Sequence, residues 1–432
     1  TSGLKPTTTV LNYLRSLPFY KGVKEGCAEG DCGACTVVVA EVQYGKLVYK
    51  TIDSCLVFLP MLHGKQMITV EHLANGKDLH PVQQAMLDKN GSQCGYCTPG
   101  IVMSLFGLYK NQQHPSREKI QDALTGNLCR CTGYRPIIDA AESACNNHGL
   151  DQFSPAEANT IRLLDELNSG REQIEIHTSL QHYYKPFTLA EALECRRLHP
   201  DAVITGGSTD VALRQTKEKE LLKEIIDISD VTGLKNMEEN GDGYRLGSRV
   251  SMENLLHFSK DRIPALHNIL KVFGSLQIRN LATIGGNIGS ASPIGDALPV
   301  LFACRARVRL QSTDGERFLN IEDFITGYRS TDLKPGELIT EIIIPKALPG
   351  QIIRSYKVSR RKDLDISTVS GGFLLLNADG IVKEIMLAFG GMAAQTIRAT
   401  KTEKYLTGKP WTQTEVGRAM EILAEEFTPL SD

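Results

Sequence analysis

The chain has 432 residues, 41% hydrophobic and 23% charged, a composition usual for a globular protein and a length that suits about three domains. Its 48 lysines and arginines nearly balance 50 aspartates and glutamates, so no basic field marks a nucleic-acid or anionic-membrane partner. No apolar run approaches the ~20 residues needed to span a bilayer and no charged-then-apolar leader suggests export, so the expected location is cytoplasmic.

Residues 8–17 (TTVLNYLRSL) read as a short helix. A glycine-rich loop follows, with Cys27, Cys32 and Cys35 in C-x4-C-x2-C spacing and Cys55 after a further 19 residues. That spacing is the plant-type ferredoxin arrangement for a [2Fe–2S] cluster. Glycines between the ligands let the backbone turn tightly and bring N–H groups against the sulfurs. Four thiolates also suit zinc, although three ligands on one glycine-rich loop differ from paired zinc knuckles. Thr36–Val39 and Leu47–Tyr49 read as strands joined by a turn at Tyr44-Gly45, so residues 1–74 are expected to form a β-grasp, plant-type ferredoxin domain.

Helices are expected at about 81–89 and 116–125. Between and after them lies a second quartet, Cys94 and Cys97 in C-x2-C and, after 31 intervening residues, Cys129 and Cys131 in C-x-C. Each pair runs into an apolar segment that carries proline at its start, Pro99 before Ile101 and Pro136 before Ile137. Proline suits a first helical turn, and helix N-termini offer free N–H donors to an anionic cluster. Residues 75–150 therefore read as a four-helix unit holding a second [2Fe–2S] cluster, with zinc as the alternative for this quartet taken alone. In a chain with ample core and no export signal, eight grouped cysteines are metal ligands rather than disulfides. The other three, Cys145, Cys195 and Cys304, read as buried packing residues, and the ten histidines show no ligand spacing.

At Gly26–Cys35 (GCAEGDCGAC), Gln93–Gly100 (QCGYCTPG) and Gly126–Ile137 (GNLCRCTGYRPI) the sequence resembles the molybdenum hydroxylase family, the group that contains xanthine dehydrogenase and aldehyde oxidase. The resemblance implies that the second cluster lies next to a molybdopterin cofactor and the first nearer a flavin. It also implies that Gln93 hydrogen-bonds the pterin and is not a cluster ligand.

Residues 151–180 are polar with one short amphipathic helix near 155–168, and read as a linker. A new domain is expected over 181–350, opening with the helical LAEAL at Leu189–Leu193. Ala202–Thr205 is a strand running into Gly206-Gly207-Ser208-Thr209-Asp210. Paired glycines there suit close approach to a diphosphate, or simply a turn. The segment 282–296 is likewise rich in glycine and small hydroxyl residues, and neither stretch is a G-x-G-x-x-G fingerprint. Both resemble the vanillyl-alcohol-oxidase-type FAD domain of the same family. That likeness implies FAD contacts from Ile204, Thr205, Gly206, Gly207, Ser208, Thr209 and Asp210, and from Phe273, Thr283, Gly286, Asn287, Ser290 and Asp296. Residues 351–432 resemble its C-terminal flavoprotein α/β subdomain. Glu337–Pro345 is strand-like, and the likeness implies that Ile339 packs near the isoalloxazine and that Lys357 falls where the family has a flavin-proximal lysine; an exposed strand lysine is the plainer alternative. Arg360 and Arg361 either attract an anionic nicotinamide nucleotide or are solvated.

The fold class expected is thus α+β and multidomain. The resemblance implies the electron-transfer subunit of a xanthine dehydrogenase, with no catalytic residue of its own. Electrons from purine hydroxylation at a separate molybdopterin-binding large subunit would pass through two [2Fe–2S] clusters to FAD and then to NAD+. The implied assembly is a heterodimer, or a dimer of heterodimers. The same subunit in an aldehyde or N-heterocycle hydroxylase is one alternative, and a zinc-stabilised binding module without redox activity is another. Plant-type clusters sit near about −400 mV, so the protein is expected to raise these two. One departure from the family stands out: residues 1–6 are too few for the hairpin that normally precedes the first helix, and Pro429–Asp432 closes the chain early. A shortened chain is therefore expected.

Overall fold

The computed structural model describes residues 3–147 and 149–428. Residues 1–2 and 429–432, on which the expectation of a shortened chain partly rests, lie outside the described residues. The fold is mixed α+β in several layers, and the chain divides into two compact units. The first comprises Thr1–Lys185, Val203–Asp227 and Gly274–Leu281; the second comprises Pro186–Ala202, Ile228–Phe273 and Ala282–Asp432. Among the described residues no helix is long and apolar enough to cross a membrane.

In the first unit, α1 (Val10–Ser16) starts where the Thr9 hydroxyl accepts the Asn12 N–H at 3.2 Å. Strands β1 (Thr36–Gln43) and β2 (Lys46–Asp53) form a hairpin around Tyr44 and Gly45, both left-handed, the backbone that suits a tight twisted hairpin. The strands run further than their apolar cores suggest, because the Gln43–Lys46 register keeps pairing through the polar Glu41 and Gln43. β3 (Gln66–Ile68) joins the other side of β1.

Helices α2 (Pro81–Asp88), α3 (Thr98–Asn111), α4 (Arg117–Leu124) and α5 (Arg135–Asn146) follow. Pro81, Pro99 and Pro136 each occupy a first turn, where a missing N–H leaves no bond unmade. Their apolar faces, including Ile101, Phe106, Ile120 and Ile137, share one buried core with Val38 and Ala40 of β1. The stretch read as a linker holds α6 (Glu157–Asn168) and then β4 (Ile174–His177). β4 is the edge of a four-stranded sheet completed by β5 (His182–Lys185), β7 (Glu224–Asp227) and β6 (Val203–Thr205), the last three parallel. A second core unites α1 and β1 with Tyr183, Ala212, Leu222 and Ile225, so the strand before the glycine pair is built onto the same body as the first cysteine loop.

The second unit carries two larger antiparallel sheets. One has the order Gly315–Asn320, Arg307–Ser312, Leu338–Pro345, Gly243–Gly247, Met237–Glu239. The other orders Gln351–Val358, Val369–Ala378, Ile381–Gly390 and Ile397–Arg398, with the helix Ala297–Ala303 packed on it. The expected strand at 337–345 is present as Leu338–Pro345.

A buried polar knot ties the start of the α6 segment to the helical core. Asp151 accepts from His80 Nε2 (3.2 Å), Lys110 Nζ (3.2 Å) and Ser154 N (2.9 Å). His80 Nδ1 accepts the Val82 N–H, which leaves the ring proton on Nε2 facing Asp151. Burial pushes the Asp151 carboxyl up, but bonds from His80 and Ser154 and the Lys110 charge outweigh it and hold the group below the usual carboxylate range. A depressed carboxyl stabilises the fold above its unfolded pKa of about 4 and loses that contribution as pH falls toward the folded value. Asp151→Asn is expected to lower stability by about 2 kcal/mol near neutral pH. Chemical denaturation at stepped pH checks this: the gap to the parent protein should narrow below about pH 4.

Candidate functional site: two thiolate quartets and the glycine loops

The first quartet is grouped as two pairs. Cys27 and Cys32 hydrogen-bond to each other, and Cys35 Sγ lies 3.4 Å from Cys55 Sγ. Cys27 Sγ also accepts the Glu29 and Asp31 N–H groups at 3.4 and 3.3 Å, as expected from the tightly turned loop. The Cys32 bond, followed by these amides, pulls the Cys27 thiol down to about 5. Cys35 and Cys55 are buried. Beside them Asp53 is fully buried, with Oδ1 3.6 Å from Cys35 Sγ and Oδ2 unpartnered; burial and the facing thiols push its carboxyl up.

The second quartet pairs Cys94 with Cys131 and Cys97 with Cys129. Cys97 caps α3, and Tyr134 caps α5 in a left-handed conformation. That backbone is held because the Tyr134 hydroxyl accepts the Cys129 N–H at 2.7 Å and donates to the Asn127 carbonyl at 3.3 Å. Cys94 and Cys131 are exposed, as are Gln93 and Tyr96 beside them.

Pairing two and two is the donor set of a two-iron cluster, in which each iron takes two thiolates. A structural zinc ion needs four ligands on one tetrahedron. Among the described residues no three cysteine, histidine or carboxylate side chains converge as the ligands of a single ion. The residues present fit [2Fe–2S] clusters.

The quartets and the first glycine loop are joined by short bonds within the first unit. Leu128 N, one residue before Cys129, donates to the Cys32 carbonyl at 3.0 Å. Lys24 Nζ donates to the Gly95 and Tyr96 carbonyls at 3.2 and 3.3 Å. On the other side the Ser208 hydroxyl donates to the carbonyl of Leu56, next to Cys55. Ser208 is left-handed, and its hydroxyl is thus engaged with protein. What the loop Ile204–Asp210 offers an anion is the backbone of Gly206 and Gly207, Thr209 and Asp210, and a buried Thr205 Oγ1 without a partner. Lys217, after the helix Val211–Thr216, reaches back to the Cys27 carbonyl (3.2 Å) and Glu29 (2.8 Å).

In the second unit the Thr283 hydroxyl accepts the Gly286 N–H at 3.1 Å, Ser290 donates to the Asn287 carbonyl, and Asn287 Oδ1 is buried without a partner. Ile339 Cδ1 lies 3.5 Å from where a Gly289 side chain would begin, so Ile339 joins this group. Lys357 is no solvated strand lysine. Its side chain is only 5% exposed, pairs with Asp296 at 2.8 Å and donates to the carbonyl of Val272, the neighbour of Phe273. Asp296 also accepts from Ser367. The structure therefore gathers Phe273, Asp296 and Lys357. Arg361 pairs with Asp365. Sequence reasoning missed Asp53, Lys217 and Ser367, none of which carries a local motif; each is defined by a partner distant in the chain or by burial.

This is a multidomain iron–sulfur flavoprotein of the oxidoreductase class. Residues 69–142 match a [2Fe–2S] binding domain, 175–347 the FAD binding domain in molybdopterin dehydrogenase, and 354–432 the CO dehydrogenase flavoprotein C-terminal domain. The chain is 34% identical to xanthine dehydrogenase of Emericella nidulans over 94% of its own length and 34% of the relative's. Against xanthine dehydrogenase of Oryza sativa subsp. japonica it is 33% identical over 97% of its own length and 36% of the relative's. It spans about a third of the length of these curated relatives. A carbon monoxide dehydrogenase structure from Hydrogenophaga pseudoflava shares the fold over 60% of this chain and 90% of that one, with TM-score 0.56 and 24% identity. Quinoline 2-oxidoreductase from Pseudomonas putida 86 does so at TM-score 0.54 and 22% identity, again over 60% and 90%. The chain belongs to the molybdenum hydroxylase family and carries its [2Fe–2S]-binding and FAD-binding domains.

Lys217 places a cation against an anionic loop that also bears Glu25, Glu29 and Asp31. Removing it disfavours adding an electron there. Lys217→Gln is expected to move the midpoint of the first cluster to more negative potential, less so at high salt, while Lys217→Arg stays close to the parent. Potentiometric titration followed by electron paramagnetic resonance measures this, with the second cluster as internal reference.

Proposed function

We propose that this chain is the electron-transfer part of a xanthine dehydrogenase, working beside a molybdopterin-binding partner chain. The observation that carries this reading is a continuous bonded series: the second quartet, the Leu128–Cys32 hydrogen bond, the first quartet, and the Leu56–Ser208 bond into the first glycine loop. When bound, two [2Fe–2S] clusters supply one-electron relays and FAD a two-electron store.

The residues divide the work. Cys94, Cys97, Cys129 and Cys131 hold the cluster nearest the partner, in keeping with the exposure of Cys94 and Cys131. Gln93, exposed beside Cys94, presents its amide to the partner's pterin. Cys27, Cys32, Cys35 and Cys55 hold the more buried cluster on a β-grasp domain, with the N–H groups of Glu29 and Asp31 stabilising sulfur charge. The Gly206-Gly207 backbone, with Ile204 and Thr205 before it and Thr209 and Asp210 after, binds one part of FAD; Ser208 anchors the loop. Thr283, Gly286, Asn287, Ser290 and Ile339 bind another. Lys357, oriented by Asp296, stands near the flavin with Phe273. These belong to a vanillyl-alcohol-oxidase-type domain followed by a C-terminal flavoprotein subdomain.

The overall reaction balances. Hydroxylation at the partner would convert R–H and water to R–OH with release of two electrons and two protons, and NAD+ would take both electrons and one proton. The substrate is a purine, the partner a large subunit in a heterodimer or a dimer of heterodimers, and the setting cytoplasmic.

Anaerobically purified chain is expected to contain about four iron atoms and one FAD, with two distinct paramagnetic signals on reduction. NADH should bleach the flavin without the partner, and xanthine should do so only with it. Stoichiometric zinc in place of iron, with no flavin spectrum, would sink the proposal; bleaching by aldehydes but never by purines would move it to another substrate class.

A further inference from the structure

We infer that Asn127 is the positioning residue that fixes the spacing between the two cysteine loops, and so the coupling between the clusters they hold. The inference rests on the reading of both quartets as [2Fe–2S] sites. Asn127 is 2% exposed and every hydrogen-bonding group of its side chain is engaged. Its amide nitrogen donates to the Gly33 carbonyl at 3.1 Å and to Thr36 Oγ1 at 3.2 Å, both on the first loop. Its amide oxygen accepts from Ser104 Oγ of α3 at 2.6 Å and from Gln277 Nε2 at 2.9 Å. Ser104 Oγ accepts in turn from Gln277 Nε2 at 3.0 Å, which closes the ring of bonds.

Its position in the chain gives this network its consequence. Asn127 is followed by Leu128, whose N–H meets the Cys32 carbonyl, and then by Cys129. A shift of Asn127 moves a second-quartet ligand relative to a first-quartet ligand, and little else lies between them. The surrounding backbone leaves no room to absorb an error. A Cβ on Gly33, already left-handed, would stand 2.3 Å from the Gly126 carbonyl oxygen, and one on Gly100 2.1 Å from the Gly33 carbonyl oxygen. Three backbone segments thus meet without intervening side chains, and a buried, fully satisfied amide locks them in one register.

The test uses the full chain loaded with both clusters. Asn127→Leu removes all four side-chain bonds at similar volume. The expected result is full iron content and two signals at unchanged positions, but reduced spin–spin splitting between them and electron equilibration between clusters slowed about tenfold. Ser104→Ala, which spares the bonds to the first loop, should produce a smaller change in the same direction. Where the leucine variant fails to fold, Thr36→Val removes one of the two first-loop acceptors and should still diminish the splitting. Unchanged splitting and rate in a fully loaded Asn127→Leu or Thr36→Val protein would overturn the inference alone. Loss of iron from the second quartet only would replace positioning with cluster retention and overturn it as well. Parent protein with no pair of clusters would instead bring down the reading beneath it.

Discussion

Two close sulfur pairs, Cys27 with Cys32 and Cys35 with Cys55 at 3.4 Å, are the constraint on which the first cysteine loop is built. Without iron the thiols of one pair compete for protons: Cys27 is pulled down while its partner Cys32 is pushed up. The buried Cys35, facing Cys55, is pushed up as well, first by that bond and then by burial. As thiolates all four would repel in a poorly solvated loop, a repulsion that metal ligation would offset. Iron bound by these thiolates would therefore add to the folding free energy of the loops. Asp53 deepens the dependence, since it adds a carboxyl with an unpartnered oxygen beside Cys35.

The constraint then spreads outward through geometry. A relay functions only if the two ligand sets stand close, and closeness here is achieved with backbone against backbone. That requirement explains why small residues and prolines crowd around the cysteines. Glycine permits the contact, and proline sits in the first turns of α3, which starts directly after Cys97, and of α5, which starts four residues after Cys131. Lysine plays a matching part: Lys24 and Lys217 approach the first loop and bond carbonyls belonging to or facing it, which offsets acidic side chains on the loop itself.

These pressures decide what was legible in the sequence. The glycine-rich cysteine loop, the turn at Tyr44-Gly45 and the helices after Pro99 and Pro136 follow from residues that are neighbours in the chain, and they were readable there. The helices of the second quartet's domain appear where their periodicity and prolines put them, within a residue or two at the caps. Contacts between residues distant in sequence had no such signature. Nothing near Ser208 signals a bond to Leu56, 152 positions away, and nothing near Lys217 signals Cys27, 190 positions away. Likewise the strand Val203–Thr205 reads locally as the opening of a flavin domain. Its parallel pairing with β7, and the shared core of Ala212 and Ile225 with α1 and β1, fold it into the body that carries the first cysteine loop. Cores are made by burial, and burial is settled by the whole chain.

Lys357 shows the same distinction at a single residue. On its strand it occupies a position whose neighbours, Tyr356 and Val358, are exposed, and sequence alternation alone is equally consistent with a lysine in water. Its strand lies between solvent on one face and packed helices on the other, and Lys357 points to the packed side. An unpaired ammonium there would be costly, so Asp296 and the Val272 carbonyl are needed to keep the charge, and Ser367 in turn holds Asp296. A buried cation whose counter-ion is itself fixed is a preorganised element, able to act on the electronics of an adjacent group without rearranging when charge arrives. That property, rather than the lysine's place in a motif, separates a buried, paired lysine from a surface one, and it emerges only when residues 272, 296, 357 and 367 are folded together.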